Sequence, residues 1–231
     1  MNIFQNQKFG DPRYRADIDG LRALAVLLVL FYHAFPAIIP AGFIGVDIFF
    51  VISGYLITSL LLNDISNGHF SLANFYYRRI KRIFPALLLV LICCMCIGWY
   101  VMYPHEYKLL NRHILAGTVF LSNIQFLSEI NYFDSAAQAK PLLNLWSLGI
   151  EEQYYIVWPI ILIIIAQSTS IFKIKYAVYA MILLLITSFG LNLHYSYSNI
   201  SIAFYSPLTR FWELAVGGLL SVATTKYNLN T

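Results

Sequence analysis

The chain has 231 residues, of which 59% are hydrophobic and only 11% are charged. Soluble domains carry about 25% charged residues, so 15 basic and 11 acidic side chains are too few to cover a water-soluble fold of this length. The composition excludes a disordered chain, a secreted disulfide scaffold, a coiled coil and an ordinary cytosolic enzyme. It indicates an all-α, polytopic membrane protein embedded in the lipid bilayer. The net charge of +4 does not indicate a nucleic-acid partner, because the basic residues form short clusters between apolar runs.

Seven apolar runs are candidates for membrane-spanning helices, each of which needs about 20 mainly apolar residues. In chain order they are 18–35, 43–62, 83–103, 113–128, 142–166, 176–193 and 205–223. The fourth is the shortest. The connections are short and show no repeat, so we expect one membrane domain over residues 1–231, with residues 1–17 as a cytoplasmic tail.

The distribution of basic residues predicts the orientation of the first spans. The hairpin 34–42 between the first two runs has no Lys or Arg. Basic residues occur instead in the amino-terminal tail and after the second run; they are Lys8, Arg13, Arg15, Arg78, Arg79, Lys81 and Arg82. Because cytoplasmic loops are enriched in Lys and Arg, the amino terminus is expected to be cytoplasmic.

The first run contains Arg22 and His33, two ionisable residues at membrane depth, where such groups are costly and often functional. Eleven residues at 100° each return to within about 20° of the same helix face, about 16 Å further along the axis. The pair could mark a polar seam, and histidine has a pKa suited to a general base. Equally, Arg22 could reach the headgroups and His33 could hydrogen-bond a neighbouring helix.

The second and third runs are mostly apolar. Asp47 is the only charge in the second run, and an isolated carboxylate there needs a partner. Ser53 and Gly54 are better interpreted as helix-packing residues. The three cysteines, at positions 93, 94 and 96 of the third run, are interpreted as buried hydrophobes, with neither a disulfide nor a metal site expected.

A basic and aromatic segment, residues 75–85, lies between the second and third runs. It could simply set the topology by binding anionic headgroups. Alternatively, Arg79 and Arg82, three residues apart on one helix face, could clamp an anionic cofactor.

The fifth run opens with Glu151 and Glu152, followed by a long uncharged stretch. Adjacent helical residues point about 100° apart, so at most one of the two is expected to share an interior with His33. A carboxylate beside a histidine can orient it or share its proton. In the last run, Arg210 and Glu213 fit a structural ion pair at least as well as chemistry.

Together these stretches resemble the acyltransferase family 3 membrane proteins, which include O-antigen acetylases. The resemblance is carried, in the family's order, by DGLRA at 19–23 with His33, GVDIFFVISGYLI at 45–57, RRIKRIFP at 78–85, WSLGIEEQYY at 146–155 and RFWEL at 210–214. It implies a bacterial inner-membrane enzyme that transfers an acyl group, typically acetyl from acetyl-CoA, to a sugar hydroxyl. The acceptor would be a cell-surface carbohydrate such as O-antigen or exopolysaccharide.

The resemblance also implies roles for particular residues. Arg22 and His33 match the family's Arg-x10-His pair, and Glu151 and Glu152 fall on its Trp-Ser-Leu-x-x-Glu motif. With Asp47, these are the predicted catalytic residues. Arg79 and Arg82 match the family's Arg-x-x-Arg motif and, with Arg78, make up the predicted acetyl-CoA site.

The alternative is a non-enzymatic polytopic protein, either transporter-like or an inactive truncated paralogue. Family members usually have more spans, often followed by a hydrolase-like domain. The resemblance therefore leads us to expect that the domain is incomplete at its carboxyl end.

Overall fold

The computed structural model describes residues 15–68, 70–129, 140–168 and 174–226. Within these ranges the chain is helical and contains no strand. The helices are α1 (Ala16–Ala34), α2 (Ile44–Ser66), α3 (Leu72–Val101), α4 (Pro104–Thr118), α5 (Ser122–Glu129), α6 (Leu145–Ser168), α7 (Ile174–Ser198), α8 (Ile200–Tyr205) and α9 (Pro207–Lys226). The all-α prediction is confirmed for this part of the chain. Most of the predicted tail 1–17, including Lys8 and Arg13, lies outside it.

Of the described helices, four are long and apolar enough to cross a membrane: α2, α3, α6 and α7. They correspond to the second, third, fifth and sixth predicted runs, so length and composition support four of the seven expected spans. Helix α1 holds Asp17, Asp19 and Arg22 within 19 residues. Helix α9 has Arg210 and Glu213 in its first two turns. An 18-residue stretch of α1 therefore always includes three charges, whereas each of the four helices has such a stretch with at most two. Helix α9 is less apolar than any of the four.

The fourth predicted run is not one spanning helix, and that prediction is wrong. It is divided between α4, with 15 residues, and α5, with 8, and both are shorter than the roughly 20 residues a span needs. Helix α4 ends in a Schellman motif. Phe120 has a positive φ of 57°, Leu121 N–H donates to Ala116 O at 2.8 Å, and Phe120 N–H donates to Gly117 O at 3.2 Å.

Helix α3 begins eleven residues before the predicted run 83–103 and has 30 residues. Ser71 caps it by accepting a hydrogen bond from the backbone N–H of Asn74 at 3.4 Å. The basic segment 75–85 is therefore helical. A 30-residue helix is about 45 Å long, which exceeds the roughly 30 Å hydrocarbon core and leaves room for a polar end.

The cysteines of α3 are not buried as expected. Cys93 and Cys96 are exposed and Cys94 is half-buried. Little of α3's apolar stretch is covered by the rest of the described chain, so an apolar side chain here can face lipid. Hydrophobicity predicted the apolar environment, but not whether protein or lipid supplies it.

The chain divides into two compact units. Of the described residues, unit 1 takes in 15–68, 70, 158–168, 174–189 and 211–226, and unit 2 takes in 71–129, 140–157 and 190–210. In unit 1, glycines let helix backbones approach closely, as is usual between membrane helices. A β-carbon at Gly54 of α2 would collide with the carbonyl of Leu214, and one at Gly217 of α9 would collide with that of Val51. The packing role expected for Gly54 is confirmed.

A buried polar bond also links α2 and α6 in unit 1. The indole N–H of Trp158 donates to Thr58 Oγ1 at 3.0 Å, and both side chains are almost fully buried. Such a bond satisfies two polar groups that would be costly to bury alone.

Unit 2 is organised around leucines from α3, α4 and the turn that precedes α6. Leu87, Leu91, Leu110 and Leu142 form its buried cluster. This cluster fixes the approach to α6, whose second turn contains Glu151 and Glu152.

Candidate functional site

In unit 2 an arginine of the basic segment lies against the face of a tyrosine from α6. The guanidinium of Arg79 is 4.5 Å from the ring centroid of Tyr155 and 6.0 Å from that of Phe75. Tyr76 of α3 donates from its hydroxyl to the carbonyl of Ile156 at 3.2 Å. The cation therefore has a fixed position on α6, stabilised by aromatic contacts.

The same tyrosine contacts the first of the two glutamates. The hydroxyl of Tyr155 donates a hydrogen bond to Glu151 Oε1, four residues earlier on the helix. Tyr155 is only 3% exposed. One buried ring thus carries Arg79 on its face and Glu151 at its hydroxyl.

Glu152 is the more deeply buried carboxylate, at 8% exposure. Its Oε1 is enclosed and has no hydrogen-bond partner among the described residues. Arg79 and Glu151 are near enough to act electrostatically on it. A buried carboxylate with an open acceptor position can bind a hydroxyl or take up a proton.

The structure thus brings Arg79, Glu151 and Glu152 together in unit 2, with Tyr155 between them. The other two predicted donor-binding arginines, Arg78 and Arg82, have exposed side chains on α3. Arg79 and Arg82 lie on one helix as expected, but Arg79 is half-buried and Arg82 is open to solvent.

The remaining predicted catalytic residues lie in unit 1. Arg22 is on α1, with one guanidinium nitrogen 3.7 Å from Asp19 Oδ1 and a side chain 40% exposed, which is a weak surface pair. Asp47 is half-buried in the first turn of α2, where the helix dipole favours a negative charge.

His33 lies in the last turn of α1 with an exposed side chain. Its Nδ1 is 2.8 Å from the carbonyl oxygen of Val29. A carbonyl can only accept, so Nδ1 is the protonated nitrogen of the neutral ring and Nε2 is left as a proton acceptor.

A largely buried charged group, not predicted from the sequence, lies around the break between α4 and α5. His113 Nε2 is 2.8 Å from Glu129 Oε1, and Lys140 Nζ is 3.0 Å from Glu129 Oε2. Partial burial by itself raises the pKa of Glu129, but hydrogen bonds from Gln125, Lys140 and His113 outweigh it and hold the pKa below its usual value. The one sign of this group in the sequence is that ionisable residues lie beside an apolar run.

A second unpredicted group ties the start of α1 to α2 and α9. Arg15 pairs with Asp17 at 2.7 Å, and this hydrogen bonding lowers the pKa of Asp17 to about 2. Arg15 also donates to the hydroxyl of Tyr55 at 3.4 Å, and that hydroxyl is 3.3 Å from Thr224 Oγ1.

These features define a helical, multi-pass membrane protein in which an arginine of α3 lies close to a tyrosine and two carboxylates of α6. The model of a family described as an acyltransferase domain matches residues 15–229. The chain belongs to this family, acyltransferase family 3.

Several curated relatives match nearly the whole chain. "Putative peptidoglycan O-acetyltransferase YrhL" of Bacillus subtilis is 38% identical over 91% of this chain and 33% of its own length. "O-acetyltransferase OatA" of Staphylococcus aureus is 35% identical over 93% of this chain and 36% of its own. "Peptidoglycan O-acetyltransferase OatA" of Listeria monocytogenes is 37% identical, over 90% and 34%. The chain thus spans about a third of the length of these relatives. No solved structure matches it.

Proposed function

We propose that this chain is a membrane O-acyltransferase that moves an acetyl group from acetyl-CoA to a hydroxyl of a bacterial cell-surface glycan. The observation that carries the proposal is the contact of Arg79 with Tyr155 beside Glu151 and Glu152. This contact lies within the stretch that the acyltransferase family model matches. Family membership supports the class of reaction.

Peptidoglycan is the acceptor that the relatives favour. Two of the three carry peptidoglycan O-acetyltransferase in their names, and all three are about as similar to this chain as one another. A peptidoglycan sugar hydroxyl therefore replaces O-antigen or exopolysaccharide as the preferred acceptor.

The donor is proposed to bind at the basic end of α3. The exposed cations of Arg78 and Arg82 suit the phosphates of acetyl-CoA, and Arg79 joins this end to the carboxylates on α6. Because acetyl-CoA is made in the cytoplasm, this end of α3 and the amino terminus are assigned to the cytoplasmic side of the bacterial inner membrane.

The proposed reaction needs a base, because a sugar hydroxyl is a poor nucleophile. His33 Nε2 takes the hydroxyl proton as the oxygen attacks the thioester carbonyl. A C–O bond forms, the C–S bond breaks, and the proton passes to the departing thiolate. Arg22 and Asp47, which lie in the same unit as His33, are assigned supporting roles, and Glu151 and Glu152 are assigned the orientation of reacting groups.

The test is acetylation of peptidoglycan in cells that express the chain, with His33→Ala and Arg22→Ala compared with the parent. His194→Ala is the matched control, since His194 is an exposed histidine outside the assigned set. We expect the parent and the control to acetylate and both site variants to lose acetylation. Full acetylation by both site variants would show that His33 and Arg22 are wrongly assigned.

A separate test addresses the donor site. Replacing Arg79 and Arg82 together with glutamine is expected to raise the KM for acetyl-CoA while leaving membrane insertion intact. An unchanged KM in this double variant would remove the arginines from the donor site.

A further inference from the structure

The short helix α5 in unit 2 contacts α6 through the side-chain amides of Asn123 and Gln153. Asn123, in the first turn of α5, is fully buried. Its Oδ1 accepts from Gln153 Nε2 at 2.9 Å, and its Nδ2 donates to the carbonyl of Tyr205 at 3.1 Å. Gln153 follows Glu152 directly in the sequence, so this pair fixes α6 beside the carboxylates.

The break between α4 and α5 meets α6 at the same point. Gln153 Nε2 also donates to the carbonyl of Phe120 at 2.8 Å. A β-carbon at Gly149 would lie 2.9 Å from Asn123 Oδ1 and 3.0 Å from Phe120 O. Phe120 has a left-handed backbone, which is unfavourable for a bulky residue. Such strain persists only where the surroundings hold it, and the amide of Gln153 is one group that does so.

The other end of α5 holds the segment that leads into α6. Glu129, the last residue of α5, accepts from Lys140 Nζ at 3.0 Å and from Gln125 Nε2 at 2.8 Å. The Lys140 side chain is only 7% exposed. Lys140 opens the turn before α6, where Leu143 N–H donates to its carbonyl at 3.1 Å. The ion pair is therefore a second anchor for the start of α6.

We propose that α5 is a positioning strut for the carboxylates of Glu151 and Glu152, held at one end by Asn123 and at the other by the Glu129–Lys140 pair. This inference rests on the proposed function of the same carboxylates. A misplacement of about 1 Å can cost about 100-fold in rate, because reacting groups must be aligned. None of the three strut residues needs to touch a substrate, so all act through the placement of α6.

The experiment measures acetyl transfer from acetyl-CoA to peptidoglycan with the full chain in membranes. Lys140→Met keeps the apolar stem and removes the charge, whereas Lys140→Arg keeps the pair. Asn123→Leu removes the amide at nearly constant volume. The control is Glu106→Gln, which weakens the exposed cap of α4, where Glu106 Oε2 accepts from Tyr103 N–H at 3.1 Å.

We expect Lys140→Met and Asn123→Leu to lower kcat by at least about tenfold with the KM for acetyl-CoA unchanged. Lys140→Arg and Glu106→Gln should retain kcat within about twofold. Glu106→Gln should lower the melting temperature slightly, because it removes the negative charge from the first turn of α4. If Lys140 and Asn123 had only a structural role, their replacement would lower the amount of folded protein but would not lower kcat at an unchanged KM.

A folded Lys140→Met variant that turns over at the parent's kcat would overturn the strut, whether or not Asn123→Leu folds. A parent that transfers no acetyl group would overturn the proposed function and the strut with it. The activity of the parent therefore distinguishes a failure of the proposed function from a failure of the strut.

Discussion

Replacing Tyr155 with phenylalanine removes one hydroxyl from the candidate site and leaves the ring beneath Arg79. The hydroxyl donates to Glu151 Oε1 from a side chain that is 3% exposed. Hydrogen bonds to charged groups contribute about 1.5–3 kcal/mol. Because Glu151 is half-buried and water can replace part of the bond, the lower end of this range applies.

At about 1.4 kcal/mol for each factor of ten, the loss corresponds to about a tenfold lower rate of acetyl transfer. The assay is the initial rate of acetyl transfer to peptidoglycan, corrected for the amount of folded protein in the membrane. Tyr179→Phe is the control, since Tyr179 is 61% exposed on α7. A Tyr155→Phe variant as fast as that control would refute the idea that the hydroxyl orients Glu151.

Two further predictions concern stability. Gly54→Ala places a β-carbon against the carbonyl of Leu214 and should lower the melting temperature. At Gly190 the new carbon would meet no described atom within 4 Å beyond its chain neighbours and the backbone of its own helix, so Gly190→Ala should raise the melting temperature slightly because alanine favours helix. Equal shifts in the two variants would contradict the close α2–α9 contact. Because the folded-state pKa of Glu129 is lowered, its stabilising contribution is complete above the ordinary carboxyl pKa and is lost as the pH falls through the folded value. The melting-temperature gap between the parent and Glu129→Gln should therefore be largest near neutral pH and shrink on acidification, and a gap that stays constant with pH would count against this pairing.

The helices that could be predicted from the sequence are those whose apolar runs exceed the thickness of a membrane. Helices α2, α3, α6 and α7 meet that length requirement, so their existence follows from composition. The break at Phe120 could not be predicted, because the residue that reverses the chain after a helix is usually glycine. Here a phenylalanine occupies the left-handed position and is held by tertiary contacts.

The candidate site was predictable in part. Glu151 and Glu152 stand out as adjacent charges before an apolar run, and the basic segment around Arg79 is equally visible. The contact of Arg79 with Tyr155 joins residues far apart in the chain, so no local pattern predicts it. The bond from Tyr155 to Glu151 spans four residues of one helix, a spacing at which side chains meet, and it could have been anticipated.

The most direct test of the proposed function is the transfer of labelled acetyl from acetyl-CoA to peptidoglycan by membranes that contain the parent or Glu152→Gln. Glutamine keeps the size of the buried side chain and removes the charge with which Glu152 orients the reacting groups. We expect transfer by the parent above that of membranes without the chain. In Glu152→Gln we expect a loss of about ten- to a hundredfold, because a hydrogen bond to a charged group contributes about 1.5–3 kcal/mol and about 1.4 kcal/mol is a factor of ten. Equal transfer by the parent and Glu152→Gln would contradict the assigned site, and no transfer by the parent would contradict the proposed activity.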